Sequence, residues 1–274
     1  MSPTVRHRRL SRELQQLREQ AGLSPDEAAR QLNWSRSKMS RVENARLLLN
    51  TGDIANACDL YGADSATKAN LIQLGKDARR RGWWMSYKDV FNGNYVALEA
   101  EATTIRTWEP LLIPGLLQSD GYARSIIKAA RPQLSEDEVN RRVDARMTRK
   151  VRLLGEQAPV FHAIVDEYAL VHPVGPAGVM TRQLDELCQI AKWQHAIIQV
   201  LPMRTNEHVG MEGAFSVLSF EEEDPDVGYV GCPGGEIYIE AADQVRDLKV
   251  IFERLAELAL PPQESAAFIA AVKE

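Results

Sequence analysis

Near the N-terminus apolar residues return every third or fourth position. Leu10, Leu14, Leu17 and Ala21 are separated by polar and charged residues, the pattern of an amphipathic helix. Gly22 supplies a C-terminal cap, and Ser24-Pro25-Asp26-Glu27 then carries three start signals together. Ser24 is a cap, Pro25 fits a first helical position, and Glu27 completes a capping box. Ala28, Ala29 and Leu32 form the inner side of this short second helix, and Asn33 stands where the chain must turn. Ser35 caps a third helix over residues 36–44, with Met39 and Val42 facing inward. A fourth begins near Thr51 and buries Ile54, Ala57, Cys58 and Tyr61. Short helices so closely joined predict a compact bundle over residues 1–64.

Beyond it, residues 65–82 read as a helical connector with Leu71, Leu74 and Ala78 on one side, ending in Arg79-Arg80-Arg81-Gly82. Residues 83–274 then mix the two periodicities. Residues 95–109 have helical spacing through Val96, Glu99, Ala100 and Thr103, and another helix follows around residues 122–130. Ser135 and Glu138 form a second capping box, which opens a helix to about Leu154. Strands are expected at 160–166, 197–201 and 215–220, and 227–230 with 236–240 frame a hairpin at Cys232-Pro233-Gly234-Gly235. Helices fall at 180–193, at 242–258 and after Pro261-Pro262. Helices cluster first and strands later, so the predicted fold is an all-α N-terminal domain followed by a larger α+β domain with an antiparallel sheet.

The net charge of −5 hides a gradient. Residues 1–50 carry ten Lys/Arg against five Asp/Glu, residues 51–150 fifteen against thirteen, and residues 151–274 eight against twenty, or +5, +2 and −12. A basic head on an acidic body suits a chain of which only the head meets a polyanion, although solvated faces of chance composition give the same count. No apolar run approaches the ~18–20 residues of a membrane span, and the opening MSPTVRHRRL has no apolar stretch of the signal-peptide kind. Cys58, Cys188 and Cys232 are isolated, which fits a reducing compartment. The chain is expected in the cytoplasm.

The third helix turns Arg36, Ser37, Lys38, Ser40, Arg41 and Asn44 outward, all hydrogen-bonding groups with no acid among them. Arg grips guanine through O6 and N7, and Ser serves either base type. Lys38, Arg46 and the helix N-terminal amides suit phosphates. With the cap Ser35, these residues form the candidate DNA-binding surface, and the alternative is a solvated helix face.

The segment resembles the Xre/Cro-type repressor family over about residues 8–62, through EAARQLNWSRSKMSRVENARL. The resemblance puts Arg36, Ser37 and Arg41 on base-contacting positions, Asn44 and Arg46 on phosphate-contacting ones, and Arg18 with Glu43 in a structural salt bridge. Asn33 and Ala45 stand where the family has glycines, and Asn44 is expected to take the left-handed position beside Ala45. Such modules dimerise on half-sites a helical turn apart, so a homodimer on an inverted-repeat operator is expected on double-stranded DNA.

Residues 83–274 are similar to the large domain of actinobacterial, especially streptomycete, regulators of the WhiJ and Scr-antitoxin type. The similarity runs through the Trp83-Trp84 pair, LEAEATTIRTWEPLLIPGLLQSDGYAR at 98–124, VDEYALVHPVG at 165–175, QVLP at 199–202 and GAFSVLSF at 213–220. It departs at Gly231-Cys232, where that family has an acidic residue after Tyr-Val. The resemblance implies an antitoxin-like repressor or activator, encoded beside a small protein partner that its second domain binds. No phosphate-binding loop, nucleophile elbow or HExxH helix appears. His162, Asp166 and His172 make a poor metal cage, and Ala177-Gly178 with Ser216 and Lys249 has the residue types of a self-cleaving repressor, a set that chance supplies in any chain this long. No catalytic residue, metal or cofactor is expected, the alternative being a DNA reader tethered to an enzymatic or self-cleaving domain. A partner or effector pocket is sought around Trp83, Trp84, Arg106, Trp108 and His208, for which core packing and a plain surface loop are the competing readings.

Overall fold

A computed structural model describes residues 5–79, 83–87, 89–91, 95–221 and 224–273. Arg80, Arg81 and Gly82 of the arginine run lie outside the described residues. The chain forms two compact units, Met1–Leu98 and Glu99–Glu274. Among the described residues no helix is long and apolar enough to cross a membrane.

The first unit holds α1 (Val5–Gln20), α2 (Pro25–Gln31), α3 (Arg36–Glu43), α4 (Thr51–Leu60) and α5 (Ser65–Ala78), then a 3-10 turn at Trp83–Tyr87. Leu10, Leu14, Ala28, Met39, Val42, Ile54, Cys58 and Leu71 close one core. Leu71 brings α5 into the bundle against α1 and α4, so the connector segment is a fifth bundle helix. Gly75 permits the close approach: a Cβ there would lie 2.3 Å from Ile54 Cδ1.

Helix ends in this unit follow one device. Ser24 and Ser35 cap α2 and α3 through the amides of Glu27 and Lys38. At the other ends the chain enters the left-handed region at Gly22, Asn33, Ala45 and Gly62. After α3, Ala45 N–H donates to Val42 O (3.0 Å) and Arg46 N–H to Arg41 O (2.6 Å), which is the Schellman arrangement. The left-handed residue is therefore Ala45 (φ 51°), while Asn44 stays at φ −87°, contrary to expectation. The length of α3 selects the position, and the residue there has to comply.

α6 (Tyr95–Glu101) spans the boundary between the units. The second unit continues with β1 (Thr104–Glu109), a 3-10 turn at Gly115–Leu117, α7 (Asp120–Ala130), α8 (Glu136–Lys150) and β2 (Val160–Asp166). Then come α9 (Glu167–Val171), α10 (Val179–Ile190), β3 (Ala196–Leu201), β4 (Phe215–Ser219), β5 (Val227–Cys232), β6 (Gly235–Ile239), α11 (Ala242–Leu258) and α12 (Pro262–Val272). The strands form one sheet in the order β3-β2-β1-β4-β5-β6. The α+β architecture is as expected, but the sheet is mixed: β1, β2 and β3 run parallel and only β1-β4-β5-β6 is antiparallel. The parallel half follows from the helices that fill the connections β1→β2 and β2→β3.

The continuous helix expected over residues 95–109 is also corrected. It stops at Glu101, and Thr104–Glu109 is the strand around which the sheet is built. Thr104, Ile105, Thr107 and Trp108 suit a pleated surface, and pairing on both sides outweighs the helical spacing. One sheet face, through Trp108, Ile164, Leu201, Phe215 and Val217, packs on Val245, Phe252 and Leu255 of α11. Residues of the other parity, Ile105, Ala163, Val165 and Leu218, are equally buried. The β3 edge is closed by the chain's own end, with Leu260 N–H donating to Val200 O (2.8 Å) and Val200 N–H to Ser265 Oγ (2.9 Å).

Candidate nucleic-acid interface

α3 buries Met39 and Val42 and exposes Ser35, Arg36, Ser37, Ser40, Arg41 and Asn44, and Arg46 is exposed just after it. Positions 36, 40 and 44 with 37 and 41 are neighbours on a helix surface, so these groups form one continuous stripe. Arg36 is 83% exposed and pairs with Asp26 of α2 (2.9 Å). Arg41 Nε donates to Ser37 O (3.2 Å), and Asn44 Nδ2 to Ser40 O (2.8 Å). These are surface contacts of low strength, which a phosphate or base edge can displace.

Lys38 differs from its neighbours. Its Nζ pairs with Asp53 of α4 at 2.8 Å and sits 4.4 Å from the Trp34 ring centroid. It ties α3 to α4 and is half-buried, so its cation is already engaged inside the bundle.

The stripe is held from behind. Arg18 of α1, its side chain 6% exposed, donates through Nε to Glu43 Oε1 (2.5 Å) and through Nη1 to Leu23 O (2.6 Å). One guanidinium thus links α1, the end of the α1–α2 turn and the end of α3. Burial pushes the nearby Tyr61 hydroxyl up to about 12, with the Glu43 charge adding to the shift. Asp26 is the surface residue that the sequence reading missed. Its signal was its place in the first turn of α2, a turn that faces the start of α3.

Of the five pocket candidates, Trp83 and Trp84 belong to the first unit and Arg106, Trp108 and His208 to the second. Trp83 and Trp84 lie in the first unit, edge to face with each other at 6.2 Å, and Trp83 also meets Tyr87 and Phe91. Trp108 is fully buried in the second unit, donates to Gly210 O (2.9 Å) and has the His208 ring edge-on at 5.7 Å. Trp108 is therefore core, as packing dictates for so large a ring. Arg106 is half-buried on β1 beside Ser219 (3.5 Å).

The residues weighed for metal or self-cleavage each have partners elsewhere. His162 bonds to Gln199 (2.7 Å), Asp166 caps α9, and His172 stacks on Tyr168. Ser216 donates to Thr107 (2.9 Å), and Lys249 pairs with Asp226. Among the described residues no group of three His, Cys, Asp or Glu is placed to hold a metal ion. At the Gly231 departure, a Cβ would lie 3.1 Å from the Tyr229 hydroxyl, so a larger residue would crowd that ring.

The second unit does gather charge, in residues that the site search from sequence passed over. Arg149 of α8 makes two bonds to Glu99, Nε to Oε1 at 2.9 Å and Nη2 to Oε2 at 2.7 Å. One turn earlier Arg146 Nη1 donates to Gln118 Oε1 (2.6 Å), and Gln118 is itself anchored to Ile113 O (2.7 Å). Glu99, Glu109 and Gln118 all come from the segment 98–124, where polar residues interrupt an apolar run, and that interruption was the signal available.

Comparison with known families places these units. A helix-turn-helix domain matches residues 9–71, and a domain of unknown function (DUF5753) matches residues 93–271. No curated protein and no solved structure matches the chain.

Proposed function

We propose that this chain, which belongs to the DUF5753 family and carries a helix-turn-helix domain at its N-terminus, is a sequence-specific transcriptional regulator. α3 is its recognition helix, and residues 99–274 bind what governs it. The observation that carries the reading is the exposed stripe Arg36, Ser37, Ser40, Arg41 and Asn44, capped by Ser35 and anchored by Arg18–Glu43. Arg36, Ser37 and Arg41 read bases. Asn44 and Arg46 position the backbone, and Lys38 acts mainly by holding α3 to α4.

The finer reading follows the resemblance. The regulator acts as a homodimer on an inverted repeat, in an antitoxin-like pair of the actinobacterial kind, and its acidic body takes a small basic protein encoded nearby or an effector. The second domain is a binding domain and not an enzyme.

The test is fluorescence anisotropy of the full chain on its own upstream DNA and on a scrambled duplex, at two salt concentrations. Specific, salt-sensitive binding is expected. Arg41→Ala should cost ~1–3 kcal/mol on the specific site and much less on the scrambled one. Equal loss on both would reduce Arg41 to a phosphate contact, and absence of specific binding would overturn the reading. Footprinting tests the inverted repeat, and the neighbouring gene product added to the same assay tests the partner.

A further inference from the structure

The two edges of the sheet end differently. The β3 edge is closed by Leu260 and Ser265, whereas no described strand pairs with the outer side of β6. An open edge is a template for a further strand, and proteins blunt such edges with proline, lysine, bulges or a covering element. β6 reads Gly235-Glu236-Ile237-Tyr238-Ile239, without proline or lysine, and its register with β5 runs without a bulge. Gly235, Glu236 and Ile237 are exposed, Ile237 to 53%. The one charge in the strand, Glu236, is held by its own hairpin: it accepts from the hydroxyls of Tyr238 (2.6 Å) and Tyr229 (3.4 Å).

The backbone of this edge has a defined phase. The two-residue turn Pro233-Gly234 closes on the pair Cys232 and Gly235, and hydrogen-bonded pairs alternate from there. Gly235, Ile237 and Ile239 therefore spend their N–H and C=O groups on β5, and Glu236 and Tyr238 turn theirs outward. Side chains alternate between the faces in the same way. Ile239 packs beneath α11, whose Leu248 lies over Gly228 on the adjoining strand. Ile237 thus stands on the α11 side of the sheet, nearer the turn, and Glu236 and Tyr238 stand on the opposite side.

A strand added to this edge has to set its own outward backbone groups against those of Glu236 and Tyr238. A second copy of β6 does so. Running antiparallel with all five residues overlapped, it centres a two-fold axis on Ile237. Glu236 of each copy then faces Tyr238 of the other, outward residue against outward residue, and Ile237 faces Ile237 as an apolar pair. A shift of the axis by one residue sets Glu236 against Glu236, or Glu236 against Glu240, like charges directly opposite each other. Strand phase and charge therefore select one register. We propose that β6 is the homodimer interface of this protein, two copies joining edge to edge in one continuous sheet. The proposal supplies the contact surface for the homodimer of the function proposed above, and it rests on that reading only in taking the regulator to be a dimer.

The experiment is sedimentation equilibrium of the full-length protein without DNA, at low and high salt. A five-residue edge is a small interface, so a reversible dimer with a micromolar dissociation constant is expected. Both second units are acidic, so added salt should hold or tighten the dimer by screening their repulsion. Ile237→Lys and Ile237→Glu each put like charges opposite each other at the axis, and each should weaken association at least tenfold. Mixed in equal amounts the two variants should associate again, because lysine then faces glutamate. Ile237 is exposed, so both variants should keep the fold, which circular dichroism reports. Should either misfold, Tyr238→Pro, which removes an N–H that β5 does not use, takes its place as the dimer-breaking change. A parent that stays monomeric at tens of micromolar overturns the proposal, as does a dimer that survives the variants or a mixture that stays monomeric. Dissociation on adding salt overturns it too, since it marks a contact between opposite charges. Because no DNA is present, a failed dimer leaves specific DNA binding by α3 standing, and failed DNA binding leaves the dimer standing.

Discussion

Arg18→Met keeps the length and apolar body of the side chain and removes its charge and donors. In the native unit Arg18 is 6% exposed and Glu43 16%, so the substitution strands a carboxylate with little access to water. Breaking one partner of such a buried pair costs about 3–5 kcal/mol. Loss of the bond to Leu23 O adds about 1 kcal/mol. The contact with Glu19 (3.3 Å) adds almost nothing, because Glu19 is mostly in water. Against a total of about 5–15 kcal/mol for a domain, the bundle should lose a large part of its stability. Native-state hydrogen exchange on the full chain isolates the effect. Amides of α1 and α3 should exchange about three to four powers of ten faster, while those of β1 and β2 report an unaffected control. Arg18→Met with Glu43→Leu removes both charges and should return to within about 2 kcal/mol of the parent. A single substitution costing under about 1 kcal/mol, or a double no better than the single, would refute the assignment of this pair as the anchor of α3.

Ala45→Gly relieves a left-handed alanine (φ 51°) and should stabilise the first unit by up to ~1 kcal/mol, read as a higher urea midpoint at unchanged slope. Asp26→Asn removes the acid paired with Arg36 and should tighten operator binding several-fold at low salt, with the gain fading as salt rises; unchanged affinity would place Arg36 away from the DNA. Glu109 is raised from its ordinary 4.5 to about 7, so between those values the folded state holds a proton that the unfolded chain has lost. Relative to Glu109→Gln, the parent should therefore lose stability as pH rises from about 5 to about 8, by ~1–2 kcal/mol once residual solvent access is allowed for. A parent protein that instead gains stability over this range, relative to Glu109→Gln, would contradict the burial of the carboxyl.

What was legible in the sequence was what short range decides. The capping boxes at Ser24/Glu27 and Ser135/Glu138 and the cap at Ser35 each involve residues three apart, and each helix starts where its cap puts it. The strand at Thr104–Glu109 was not legible, because its spacing also fits a helix. Its partners, β2 and β4, lie about 50 and 110 residues further along the chain. The position after α3 shows a local preference overruled: asparagine tolerates the left-handed region better than alanine, yet the hydrogen bonds that end α3 fall so that Ala45 must adopt it. Lys38 was read by charge type alone, and only the packing of α4 reveals Asp53 beneath it.

The charged side chains of this chain sort by whether their hydrogen-bonding capacity is spent. Arg18 with Glu43 and Arg149 with Glu99 are enclosed and closed, and a closed pair holds elements together without offering anything to a ligand. Arg36, Arg41 and Arg46 are open to solvent, and Arg36 and Arg41 make only weak surface contacts, the state a DNA reader needs before its target arrives. Sequence alone assigns all of these residues the same charge chemistry. Only their enclosure distinguishes a clasp from a reading surface.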